Sequence, residues 1–113
     1  MKDLTPEDEA FVNSILPDEL YLIMSKENQG FGMIMHKNAT KSKSVHALAE
    51  SWNIQQSEIV AFGDDVNDLD MLNYAGVGIA MTNALDVVKA AADRICDTND
   101  NDGVAKWLEE NVL

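Results

Sequence analysis

An α/β fold built on a parallel sheet is predicted by two features of this 113-residue sequence. From Lys41 onward, short apolar runs alternate with helix-length amphipathic segments, and the runs themselves are continuously apolar rather than alternating. Strands covered on both faces by helices need such runs. Before Lys37 the pattern is different: one helical stripe is followed by two strand-like segments, which read as an antiparallel pair in a small α+β piece. The chain therefore divides into residues 1–36 and 37–113.

In the first part, Thr5 can cap a helix with Pro6 at its first position and Glu7, Asp8 and Glu9 in its first turn. Phe11, Val12, Ile15 and Leu16 form the apolar stripe, and Pro17 ends it. Residues 20–24 are a short apolar strand. Phe31, Met33 and Met35 alternate with Gly32, Ile34 and His36 in a second, and the polar segment 26–30 reads as the hairpin loop between them.

In the second part, Thr40 can cap a helix over 41–53, with Val45, Leu48, Ala49 and Trp52 at three- and four-residue spacing as its buried face. Strands are predicted at 59–62, 77–80 and 94–96, and helices at 68–74 and 86–92. A polar loop over 97–103 leads to a last helix in which Val104, Trp107 and Leu108 share a face. Asp97, Asn99 and Asn101 imitate a calcium loop, but Asp102 and Leu108 stand where such a loop needs glycine and glutamate. The loop is therefore a polar turn.

Composition excludes several classes. With 46% hydrophobic and 25% charged residues the chain is an ordinary globular one, not a disordered one. A net charge of −12 opposes nonspecific nucleic-acid binding. The one local exception is a basic island, in which Lys37, Lys41, Lys43, His36 and His46 fall in an acid-free stretch between Glu27 and Glu50. The single cysteine, Cys96, allows no intrachain disulfide and reads as a small buried residue. The opening residues lack the apolar core of a signal peptide, and no apolar run is long enough for a membrane span. A cytoplasmic protein is expected.

The chemistry lies in Gly63-Asp64-Asp65-Val66-Asn67-Asp68, directly after the strand at 59–62. Ligands bind at the carboxyl ends of parallel strands, and hard divalent cations prefer carboxylate oxygens. Asp64 and Asp68 make a magnesium site by these criteria, with too few ligands for a calcium cage. Asp65, Asn67 and Asp68 also suit strand termination and helix capping, and the two roles can coexist.

These residues carry a family resemblance. Gly63-Asp64-x-x-Asn67-Asp68 is followed by Met71-Leu72, Ala75-Gly76, Ala80-Met81, Asn83-Ala84, Lys89, Ala92-Asp93 and Asp102-Gly103-Val104-Ala105. In this order they resemble the carboxyl-terminal half of Cof-type phosphatases of the haloacid dehalogenase (HAD) superfamily. The resemblance implies a partial Rossmann-like parallel sheet with helices on both faces, preceded by the remnant of an α+β cap in residues 1–36. It implies a direct Mg2+ ligand at Asp64, a further acid at or near the metal shell at Asp68, phosphate contact by Asn67, and a catalytic, phosphate-binding lysine at Lys41. The family commonly has glycine after that lysine, whereas Ser42 stands here, so whether Lys41 or Lys43 faces the site stays open. The substrate class implied is a small phosphorylated metabolite.

The family's nucleophile sits in an Asp-x-Asp motif at a strand end, and nothing before Lys41 matches it. Asp68-Leu69-Asp70 lies inside a helix and belongs to the metal loop. A strand-end Ser or Thr, the family's second motif, is likewise without a counterpart. The resemblance thus implies a chain inactive alone and, by the family's topology, an unpaired apolar edge beside strand 59–62. That edge predicts a homodimer or a complementing amino-terminal chain. The alternative is a noncatalytic phosphate- or partner-binding module that oligomerises through the same edge.

Overall fold

The computed structural model describes residues 3–25 and 30–113, so most of the expected hairpin loop at 26–30 lies outside the described residues. The chain splits into two compact units at the boundary between Thr40 and Lys41.

The first unit holds helix α1 (Pro6–Ile15) and strands β1 (Leu20–Met24) and β2 (Gly32–His36). Thr5 and Asp8 form a reciprocal capping box: the Thr5 hydroxyl accepts the Asp8 N–H at 3.2 Å, and the Asp8 carboxylate accepts the Thr5 N–H at 2.8 Å. β1 and β2 pair antiparallel, from Leu20 with His36 to Met24 with Gly32. Asn13 ties α1 to β1 by accepting the Leu22 N–H at 2.7 Å and donating to its carbonyl at 3.3 Å. The predicted stripe on α1 is only partly used. Val12 and Leu16 are half-buried, while Phe11 and Ile15 are exposed.

The second unit runs α2 (Lys41–Ser51), β3 (Val60–Gly63), α3 (Leu69–Tyr74), β4 (Val77–Met81), α4 (Asp86–Ala91), β5 (Arg94–Cys96) and α5 (Gly103–Asn111). Its three strands form a parallel sheet in the order β3-β4-β5, with Val60 opposite Val77 and Ile79 opposite Arg94. Successive residues on a strand point to opposite faces, and Gly78, Ile79, Ala80 and Met81 are all buried, so β4 is covered on both sides. Leu72 and Val88, from α3 and α4, close the core around it, and Phe62 meets Trp107 of α5 edge to face at 5.6 Å. α2 ends in a Schellman motif. Asn53 takes the left-handed conformation at φ 56°, and Ile54 N–H reaches the Ala49 carbonyl at 2.8 Å.

Of the predicted buried face of α2, Ala49 is buried and Val45 half-buried, but Leu48 and Trp52 are 49% and 65% exposed. α2 is hydrogen-bonded to α3 through Ser42 and His46, nearer its start. Among the described residues no helix is long and apolar enough to cross a membrane.

Candidate functional site

β3 ends at Gly63, and the following loop folds back onto it. A Cβ on Gly63 would stand 2.5 Å from Cβ of Asp68, so the close approach of Asp68 to the strand end requires glycine. Asp65 then caps a single 3-10 turn, Val66–Asp68, by accepting the Val66 N–H at 2.6 Å.

Asp68, only 4% exposed, organises the loop. Its Oδ2 accepts the backbone N–H of Asp64 at 3.0 Å and of Asp65 at 3.2 Å, and its Oδ1 takes the ammonium of Lys41. Burial alone would raise its proton affinity. The Lys41 hydrogen bond, the two backbone N–H groups and the lysine charge outweigh that and hold the carboxyl below 3.8. Asp64 goes the other way. Partial burial first, then the neighbouring Asp68 and Asp65 charges, raise its carboxyl above 3.8 despite Lys41.

A cavity of about 480 Å³ opens at this point. Lys41, Asp64, Asp68 and Asn99 give it a polar side, while Phe62, Met71, Met81 and Val104 give it an apolar one. Asp64 follows β3, Met81 ends β4 and Asn99 follows β5, so the cavity gathers the carboxyl ends of all three strands. Asn67 is half-buried in the 3-10 turn and does not line the cavity, nor does Lys43. The structure thus brings Lys41, Asp64 and Asp68 together and sets Asn67 beside them. Asn99 was not singled out from sequence as a site residue. It accepts a hydrogen bond from Asn83 at 3.1 Å, and its only signal is its place after a parallel strand.

Among the described residues no three His, Cys, Asp or Glu side chains gather to cage a metal by themselves. A magnesium site needs no such cage, because that ion retains waters and is held by one or two carboxylates together with substrate phosphate. Burial first, and then the neighbouring negative charge, raises Asp64, and a divalent cation would relieve the second of these.

A family profile described as haloacid dehalogenase-like hydrolase matches residues 2–108. A Haemophilus influenzae protein that carries a phosphatase name is 43% identical over 90 residues, covering 80% of this chain and 34% of that protein. The 5-amino-6-(5-phospho-D-ribitylamino)uracil phosphatase YitU of Bacillus subtilis is 40% identical over 77 residues, which are 68% of this chain and 28% of the relative. A solved HAD phosphatase from Bacteroides thetaiotaomicron matches with a TM-score of 0.83 at 31% identity, over 96% of this chain and 39% of its own. A subclass IIB sugar phosphatase matches with a TM-score of 0.82 at 31% identity, over 96% and 40%. The chain spans about a third of the length of the curated relatives it matches.

Proposed function

The chain belongs to the haloacid dehalogenase-like hydrolase family, and from that premise we propose that it supplies the magnesium- and phosphate-handling part of a phosphatase for small phosphorylated metabolites. The observation that carries this reading is the continuous link from Lys41 through the Asp68 carboxylate to the Asp64 backbone at one cavity wall. The relatives named for a phosphorylated uracil derivative and for sugar phosphates support the substrate class.

Asp64 is the direct ligand for Mg2+, and Asp68 acts at the edge of the metal shell while anchoring Lys41. Bound magnesium would supply charge neutralisation at the phosphate oxygens. Lys41 offsets charge on the transferring phosphoryl group, as positioned cations do in water-poor sites, and Asn67, in the turn beside the cavity, takes the phosphate contact that the family resemblance assigns to it. In the complete enzyme an aspartate attacks phosphorus, the alcohol leaves, and water then hydrolyses the aspartyl phosphate. Of the two Asp-x-Asp triplets of this sequence, Asp68-Leu69-Asp70 lies in a 3-10 turn and the start of α3, and Asp100-Asn101-Asp102 in a 3-10 turn and its left-handed cap, neither on a strand. The nucleophile therefore comes from outside these 113 residues. Residues 1–36 are part of a cap, and the lone buried Cys96 suits the cytoplasm.

Magnesium and inorganic phosphate together should raise the melting temperature of the chain. Asp64→Ala should remove the magnesium response and Lys41→Ala the phosphate response, and a melting temperature indifferent to both ligands would overturn the reading. Alone, the chain should not hydrolyse p-nitrophenyl phosphate; robust magnesium-dependent turnover that Asp64→Ala abolishes would overturn the assignment of the nucleophile to another segment.

One observation favours a second reading, a noncatalytic binding module. Among the described residues β3 pairs only with β4, which leaves its other edge open to a second copy or a complementing chain. A stable monomer in sedimentation at micromolar concentration would count against both associations.

A further inference from the structure

Lys41 is not fixed by Asp68 alone. The next residue, Ser42, donates both its backbone N–H and its hydroxyl to one oxygen of Asp70, at 3.1 and 2.6 Å. One turn further on, His46 Nδ1 and the Tyr74 hydroxyl are 2.8 Å apart with their rings edge to face. The partners advance together, 41 with 68, 42 with 70 and 46 with 74. The start of α2 is thus stitched along the loop and α3 that follow β3. The Ser42 N–H is one of the first N–H groups of α2, which have no acceptor within their own helix. Asp70 supplies that acceptor from another helix, with the sign of charge that a helix amino terminus favours.

We infer that Ser42 and Asp70 are positioning residues, a pair that sets the rotation of α2 about its axis so that Lys41 presents its ammonium to Asp68 and the cavity. At 3.6 residues per turn, side chains two positions apart on a helix point about 160° away from each other. Rotation of α2 therefore decides between Lys41 and Lys43, and only Lys41 lines the cavity. The inference deepens the reading of Lys41 as the phosphate-holding cation and rests on it. A serine after this lysine, in place of the family's usual glycine, provides the shorter of the two links to Asp70.

The test is brief reductive methylation of the whole chain without metal or phosphate, read lysine by lysine by peptide mass spectrometry. Asp70→Ala and Ser42→Ala should raise the Lys41-to-Lys43 ratio several-fold, and Asp70→Asn, which keeps an acceptor oxygen, should restore most of it. Tyr74→Phe breaks the neighbouring link between the same helices and should leave the ratio unchanged even where it lowers the melting temperature. A ratio unmoved in a folded Asp70→Ala, or in Ser42→Ala where Asp70→Ala fails to fold, overturns the inference. Protection of parent Lys41 by magnesium and inorganic phosphate is read separately. Its absence, with the variant ratios as expected, sinks the phosphate reading and leaves the positioning pair standing.

Discussion

Asp68 accepts the backbone N–H of Asp64 at 3.0 Å with one carboxylate oxygen while the other holds Lys41. One buried side chain thus sets the path of the loop and anchors the cation beside it. Asp68→Ala leaves the Asp64 and Asp65 N–H groups without that acceptor, and an unsatisfied buried polar group costs about 1–3 kcal/mol. The urea midpoint should fall accordingly, and less in Asp68→Asn, whose amide oxygen still accepts. Equal midpoints for all three proteins would show that the loop holds itself.

The two carboxylates impose opposite pH dependences. Asp68 is held below 3.8, so its contribution is present above that value and is lost as pH falls through the lower folded value. Asp64 is raised, so its contribution is present below 3.8 and is lost as pH rises through the higher folded value. Without metal, Asp64→Asn should therefore be more stable than the parent at pH 7, and Asp68→Asn less stable. Both differences should shrink on acidification, that of Asp64→Asn first. Melting curves from pH 3 to 7 decide this, and an Asp64→Asn protein less stable than the parent at pH 7 would refute the raised proton affinity of Asp64 that its burial and its acidic neighbours impose.

How far the sequence could be read follows from the range of its signals. Strands β1, β4 and β5 were legible because their apolar runs are bounded by polar or glycine-rich turns, and Asp64 was legible because a strand, a glycine and an acid follow one another. Asn99 was not, since its loop reads as a polar turn. It reaches the cavity only because β5 runs parallel to β4 and ends on the same side. The Ser42–Asp70 pair spans 28 positions and leaves no local pattern. Leu48 and Trp52 share a periodic stripe with Ala49, but periodicity does not say how much of the stripe a neighbour covers.

That last point is testable by contrast. Leu72 is 1% exposed at the centre of the core, and a buried leucine cut to alanine costs about 2–5 kcal/mol. Trp52, larger but 65% exposed, should tolerate Trp52→Ser within roughly 0.5 kcal/mol. Urea unfolding of the two variants checks the order. A tryptophan variant as damaged as the leucine one would restore the buried face expected from the sequence.

Cys96 offers a separate probe of the second unit. Its thiol is buried, with the sulfur 3.4 Å from that of Met81. Burial chiefly pushes it above 9.0; the Cys96 backbone hydrogen bond opposes the shift and the Asp97 charge adds to it. The fold keeps this proton longer than the unfolded chain does, so the contribution is full below 9.0 and is lost as pH rises through the folded value. Because the thiolate is the reacting species, iodoacetamide at pH 8 should modify Cys96 slowly in the native chain and quickly in urea. Native labelling as fast as that in urea would mean that β5 does not shield its cysteine, and would remove the support for a closed core on that side of the sheet.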